Sequence, residues 1–227
     1  MSYNFDFAAL LPYWPLFLEG VWLTLVLSAW STVFGFILGT LCAIGRADGP
    51  QWLKFLIGAY VEIIRNTPLL VQIFIFFFGF ATFGIKVSAN TAAVIALVVN
   101  VGAYTSEIVR AGLESVHKSQ VEAAECLGMS RTQIYWHVII RPAIERVYPA
   151  LTSQYVLLML ASSITSQISA EELTAVANRI QSDTFRSFET YIITGLLYIV
   201  LSFVVRIAFW LFGMLVFARR RALGTAA

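Results

Sequence analysis

The stretch "QVEAAECLGMSRTQIYWHVIIRP", residues 120–142, decides how the chain is read. A helix ending at Leu127-Gly128 and a second opening at Ser130-Arg131 has the outline of a DNA-reading helix-turn-helix. The same residues fit a docking elbow through which a membrane protein takes up force from a partner. Local chemistry defines both helices. Ser119-Gln120-Val121-Glu122 has the form of a capping box, its hydroxyl accepting from the Glu122 amide while the carboxylate reaches back. Gly128 is suited to end that helix, because a residue without Cβ takes the left-handed C′ conformation. Ser130-Arg131-Thr132-Gln133 is a second box. Ala123 and Ala124 give the first helix a thin face that a groove can approach. The second helix, "RTQIYWHVII", carries one arginine among mostly apolar residues. A DNA reader needs several phosphate contacts, polar side chains at base edges and a third helix for its own core. No nucleic-acid partner is expected, which leaves a docking elbow or a merely structural loop.

The rest of the chain sets the solvent. Its 227 residues are 59% apolar and 12% charged, with 18 Phe and 6 Trp, more apolar surface than a soluble domain of this length can bury. Lipid is the expected surrounding. The net charge of +2 is too small to argue for nucleic acid on its own. Cys42 and Cys126 are too few and too far apart for a disulfide framework or metal site, and His117 and His137 read as surface residues. The N-terminus lacks the basic segment of a cleaved signal peptide, so the first span is expected to stay.

Charge-free runs mark five spans: 20–45, 66–85, 87–106, 147–170 and 190–218, the last broken only by Arg206. With flanks, the helices are expected at about 18–45, 58–85, 87–110, 147–170 and 189–218. The elbow occupies about 119–140, and 1–227 forms a single domain. Lysine and arginine alternate across the spans. None precedes the first, Arg46 and Lys54 follow it, and Lys86 alone follows the second. Arg110, Lys118, Arg131, Arg141 and Arg146 lie between the third and fourth, while acidic residues outnumber Arg179 and Arg186 before the fifth. Arg219, Arg220 and Arg221 close the chain. This places the N-terminus outside, and the elbow and C-terminus in the cytoplasm. Tyr3, Phe5, Phe7, Tyr13 and Trp14 suit either an interfacial segment or a partly ordered tail. Gly35 and Gly39 form a Gly-x-x-x-Gly that lets another helix approach. Five spans cannot split into equal halves, so a pseudo-symmetric pathway needs two chains.

Polar residues within the spans are pathway candidates. Asn100, Tyr104 and Glu107 share a face of the third helix, and Ser162, Ser163, Ser166 and Gln167 lie on the fourth. Such hydroxyls either line a cavity or bond their own backbone and allow helices to pack. As a cluster, pathway lining is the better reading. Glu62 and Arg65, and Glu107 and Arg110, either form ion pairs that change between states or snorkel to the interface.

The segment "EAAECLG" resembles the Glu-Ala-Ala-x-x-x-Gly motif of ATP-binding-cassette importer permeases. Three further segments resemble the polar amino acid uptake branch, of the histidine/glutamine/arginine type: "RNTPLLVQIFIFFFG" (65–79), "AYTSEIVRAGLESV" (103–116) and "TFRSFETY" (184–191). The resemblance implies an all-α membrane protein of type I importer fold. Ser119, Glu122, Ala123, Ala124, Gly128 and Arg131 would then contact an ATPase subunit. It also implies two such ATPases, a second permease chain (identical or homologous) and an extracytoplasmic amino acid-binding protein, in the bacterial cytoplasmic (inner) membrane. ATP and Mg would bind the ATPases, since this chain has no phosphate-binding Gly-rich loop with Lys-Ser/Thr and is no enzyme. Three departures stand out. Asn66 replaces a glycine, Pro142 comes one residue late with Arg141 in its place, and "LASS" (160–163) stands where many relatives have Lys-Asp-Thr-Ser. The last removes two charges near the expected pathway. An ATP-independent transporter or channel, the alternative, would call for a buried coupling carboxylate or inverted repeats. An intramembrane enzyme would need a histidine or lysine within a span to activate Ser162 or Ser163.

Overall fold

The computed structural model of the protein describes residues 4–217, which form helices and no strand. Tyr3, Arg219, Arg220 and Arg221, and the end of the last span at 218, lie outside the described residues. A short 3-10 turn, Ala8–Tyr13, runs into α1 (Trp14–Asp48). There follow α2 (Gln51–Arg65), α3 (Leu69–Thr82), α4 (Ala89–Glu114) and α5 (Lys118–Cys126). A single turn, α6 (Arg131–Gln133), passes through a π-helical stretch, Ile134–Ile140, into α7 (Arg141–Ala161) and a 3-10 end, Ser162–Ile168. α8 (Leu173–Thr184) and α9 (Ser187–Val216) complete the chain.

Among the described residues, four uninterrupted helical stretches are long and apolar enough to cross a bilayer: Ala8–Asp48, Ala89–Glu114, Arg131–Ile168 and Ser187–Val216. The expected second span, 58–85, is not one helix: α2 and α3 are bent by 110°. Pro68 is the cause. It denies Thr67 the α conformation and offers no N–H to continue the ladder. Asn66 has φ −100°, a conformation that does not call for glycine. Its amide instead donates to the Glu62 carbonyl at 2.8 Å and caps α2.

The core forms where α1 crosses α4. Gly20, Thr24, Ser28, Ser31, Gly35 and Gly39 are all buried along α1, spaced three or four apart and so on one face. Gly35 and Gly39 meet Val101, Gly102 and Thr105 of α4, as the Gly-x-x-x-Gly reading expects. Leu97, Val101, Leu151, Tyr155 and Leu158 fill the centre. A second cluster, with Phe17, Met159, Leu173 and Ile180, seats α8 against the first part of α1.

Two expectations about the elbow are corrected. α5 is capped by His117, whose Nδ1 accepts from the Ser119 amide, so Ser119 lies inside the helix and makes no box with Glu122. The second elbow helix is also not separate. It continues through the π turns into the fourth span as one rod. Pro142 would press its ring on the Val138 carbonyl in an α-helix, and the wider turns lie just there.

Candidate functional site

One end of the bundle gathers an ion-pair hub. The Glu107 carboxylate on α4 pairs with Arg46 from the end of α1, with Arg110 at 2.8 Å and with Arg65 from the end of α2 at 3.8 Å. Arg110 also holds Glu114 at 2.6 Å. The Arg65 guanidinium lies 5.5 Å from the centre of the Tyr104 ring. Of the four charged residues singled out from sequence, Arg65, Glu107 and Arg110 therefore meet. Glu62 does not: it is exposed and bonds Asn66. Arg46 was missed, because it is 61 residues from Glu107 in the chain.

The break between α2 and α3 joins this hub to the helix above it. Gln72, buried, donates to the carbonyls of Ile64 (2.8 Å) and Thr67 (3.0 Å), which the broken helix leaves without backbone donors. Its own oxygen accepts from Asn100 at 2.8 Å. Asn100, Tyr104 and Glu107 thus touch, in order, the amide that holds the break, Arg65 and the hub. Gln72 carried no signal in the sequence beyond being polar within an apolar run.

The elbow lies beside the same end. Gly128 has φ +72°, with its amide donating to Glu125 O at 2.9 Å and the Met129 amide to Ala124 O at 3.2 Å, a Schellman stop. Ser130 and Gln133 make the reciprocal capping box foreseen for them, with bonds of 3.4 and 2.8 Å. Glu122, Ala123, Gly128 and Arg131 are exposed; Ala124 is buried and packs inward, so only one of the two alanines forms the thin outer face. Leu127, next to the glycine, is 81% exposed. Arg146 of α7 donates to the Ser115 carbonyl at 2.5 Å and ties the rod to the end of α4.

The polar run of the fourth span is a 3-10 helix whose hydroxyls turn to their own backbone. Ser162 donates to Met159 O and Ser163 to Leu160 O, each at 2.7 Å, and Ser166 to Ser163 O at 2.8 Å. Ser162 is buried, Ser163 and Ser166 are half-buried, and Gln167 is exposed. The packing role therefore holds for each hydroxyl as a donor, while its lone pairs remain available as acceptors.

At the opposite end of α1 the groups are different. Glu172, fully buried, caps α8 by accepting from the amides of Thr174 and Ala175, both at 2.8 Å, and from the Tyr198 hydroxyl at 2.6 Å. Burial holds its carboxyl above the usual carboxylate range, against these donors. Arg186 pairs with Glu189 at 3.3 Å and Asp6 at 3.7 Å, anchoring the N-terminal segment. Phe185 stands 86% exposed with φ +56°, a conformation costly for a bulky residue. Nearby, a cleft of about 440 Å³ is lined by Glu19, Glu171 and Arg179, with Ser166 and Ser169 of the 3-10 end.

The family described as "Binding-protein-dependent transport system inner membrane component" matches residues 31–216. The chain is 33% identical over 226 residues to the octopine transport system permease protein OccM of Rhizobium radiobacter, covering 96% of this chain and 92% of that one. It is 32% identical over 209 residues to the glutamine transport system permease protein GlnP of Escherichia coli (strain K12), covering 89% and 95%. Among solved structures, a chain of an amino acid ABC transporter crystallised with histidines superposes with TM-score 0.86 at 37% identity, over 93% of this chain and 99% of that one. A chain of the methionine transporter MetNI in an inward-facing conformation gives TM-score 0.77 at 20% identity, over 91% and 99%, a likeness of fold.

Proposed function

From a chain that belongs to the family of binding-protein-dependent transport system inner membrane components, we propose a permease subunit of an ATP-driven importer that moves a polar or charged amino acid, or a close derivative, across the bacterial cytoplasmic membrane. The observation that carries this reading is the elbow. A capped, glycine-stopped helix presents Glu122, Ala123, Leu127 and Gly128 outward and runs on as a continuous rod into a span. The named activities of its relatives, with permeases for octopine and glutamine among them, support the substrate class.

In this reading the N-terminus lies outside, and the elbow and the Glu107 hub lie at the cytoplasmic end. Two permease chains pair, each seating its elbow on one of two ATPase subunits, which bind ATP and Mg. An extracytoplasmic binding protein docks at the end bearing Phe185 and delivers the amino acid. Closure of the ATPases draws the elbows together. The motion passes along the π-helical rod and, through Arg146 and Ser115, to α4. There it strains the hub joining α1, α2 and α4, and reaches Asn100 and Tyr104 beside the path. Ser163 and Ser166, whose hydroxyl protons are already spent on backbone carbonyls, present lone pairs suited to an ammonium or guanidinium. With "LASS" in place of two charges, Ser163 offers a dipole, and the charges near Ser166 are those of Glu19, Glu171 and Arg179 in the cleft.

Gly128→Asp tests the elbow. At φ +72° any side chain is strained, aspartate less than most, but no atom lies within 4 Å of an added Cβ, so the variant is expected to insert with a loss of about 1 kcal/mol at the helix end. Its carboxylate in the docking face should weaken co-purification with the ATPase and lower ATP-driven uptake by about ten-fold or more. Unchanged uptake by a normally inserted variant overturns the coupling role. Stimulation of the assembled ATPase by binding proteins loaded with different amino acids identifies the substrate.

A further inference from the structure

A groove of about 640 Å³ runs between α1, α7 and α9 at the elbow end of the bundle. Its walls are carbon: Val33, Phe36 and Ile37 from α1, Ile144 and Leu151 from α7, Phe209 and Phe212 from α9 are among them. Three of the hydroxyls in its walls are engaged by partners within the protein. The Tyr148 hydroxyl donates to Phe209 O at 2.5 Å, Thr152 donates to Tyr148 O at 3.0 Å, and the Tyr155 hydroxyl lies 3.4 Å from Thr105. Nothing in such a groove holds water, so its guest is apolar. It is also continuous with the most lipid-like surface of the molecule, where Phe203, Val204, Ile207 and Leu211 of α9 stand exposed.

The mouth has a different chemistry. Arg141 and Trp136 line the elbow end of the groove; Trp136 is 61% exposed, and Arg141 is exposed and forms no hydrogen bond or ion pair among the described residues. The nearest carboxylate along the helix, Glu145 one turn on, is already engaged. An unpaired guanidinium beside an indole at the end of an acyl-sized apolar slot matches, in order, a phosphate, a glycerol backbone and a fatty chain. Tryptophan favours this level of a bilayer, and basic groups between helices on the cytoplasmic side attract anionic headgroups. We propose that this groove is a binding site for one anionic glycerophospholipid, its acyl chain between α1, α7 and α9 and its phosphate on Arg141. A lipid here wedges against the rod that carries the elbow, so its headgroup charge bears on how freely α7 moves.

The experiment uses the full-length protein in detergent, with phosphatidylglycerol or phosphatidylcholine added at equal amounts and retained lipid counted by native mass spectrometry. The wild type is expected to keep one phosphatidylglycerol in preference to phosphatidylcholine. Arg141→Gln should reduce that preference about five-fold, the factor that one guanidinium is worth near a charged surface. Arg141→Lys should largely keep it. Ile37→Trp fills the slot and should abolish retention while leaving Arg141 in place. Equal retention of both lipids by the wild type overturns the proposal. So does a phosphatidylglycerol preference that survives Ile37→Trp, or absence of bound lipid because a second copy of the chain covers the groove.

Discussion

Glu172 is a carboxylate whose position works against its own ionisation. Three donors favour the anion, yet it is fully buried, and burial raises its affinity for a proton above that of the unfolded chain. The sign follows from linkage. Its contribution to stability is full below the unfolded carboxylate value, near 4.5, and is lost as pH rises through the higher folded value. Glu172→Gln removes the ionisation and keeps an oxygen for one of the two α8 amides, a loss that does not depend on pH. Melting curves in detergent are therefore expected to show the wild type losing ground to Glu172→Gln as pH rises from about 4.5. Curves that stay parallel across that range mean the group is not ionising against burial. Ser119 teaches the converse at this scale. The spacing Ser-x-x-Glu is a valid capping signal, but His117 stands two residues earlier with a ring nitrogen in reach of the Ser119 amide, which the Glu122 carboxylate would otherwise take, and it takes the cap.

Helices are decided by what lies opposite them. The packing stripe on α1 reads in sequence as two glycines, yet Gly20, Thr24, Ser28 and Ser31 complete it, and these four look ordinary until α4 and α8 are in place. A methyl group at Gly39 would lie 2.5 Å from Thr105 Cβ and 2.7 Å from Gly102 O, neither of which can swing aside. Gly39→Ala is expected to destabilise the protein by about 1–3 kcal/mol. Gly195→Ala on α9, where nothing lies within 4 Å, is the control and should be neutral or stabilising by up to ~1 kcal/mol. Equal losses at both positions mean that helix contact is not the reason for Gly39. The break at Pro68 belongs to this scale too. A proline marks where a ladder must fail, but the 110° turn is stable because Gln72 satisfies the freed carbonyls.

Across the whole molecule, one carboxylate fastens three helices. Glu107 faces Arg46, Arg65 and Arg110, with 19% of its side chain exposed, so it is neither a surface pair nor a dry one. Removing it leaves three guanidiniums facing one another. Glu107→Gln is expected to cost about 2 kcal/mol, below the penalty for breaking a fully buried pair because water reaches these arginines. Adding Arg46→Gln should recover part of the loss, a coupling that a double-mutant cycle in detergent measures. Strictly additive losses would mean that the two residues do not act as a unit.

Sequence alone was enough for the four long apolar helices, the glycine stop and serine box of the elbow, and the close approach at Gly35 and Gly39. Each depends on composition or on residues within a turn of one another, where spacing and chemistry suffice. Only the tertiary structure decided which carboxylate Arg46 meets, that Gln72 and Asn100 bridge the broken span, that Tyr198 covers Glu172, and that the elbow runs unbroken into α7. Those pairings join residues far apart in the chain or depend on helix register, and a side chain's partner across a helix contact is set by the packing of both backbones, not by its neighbours in sequence.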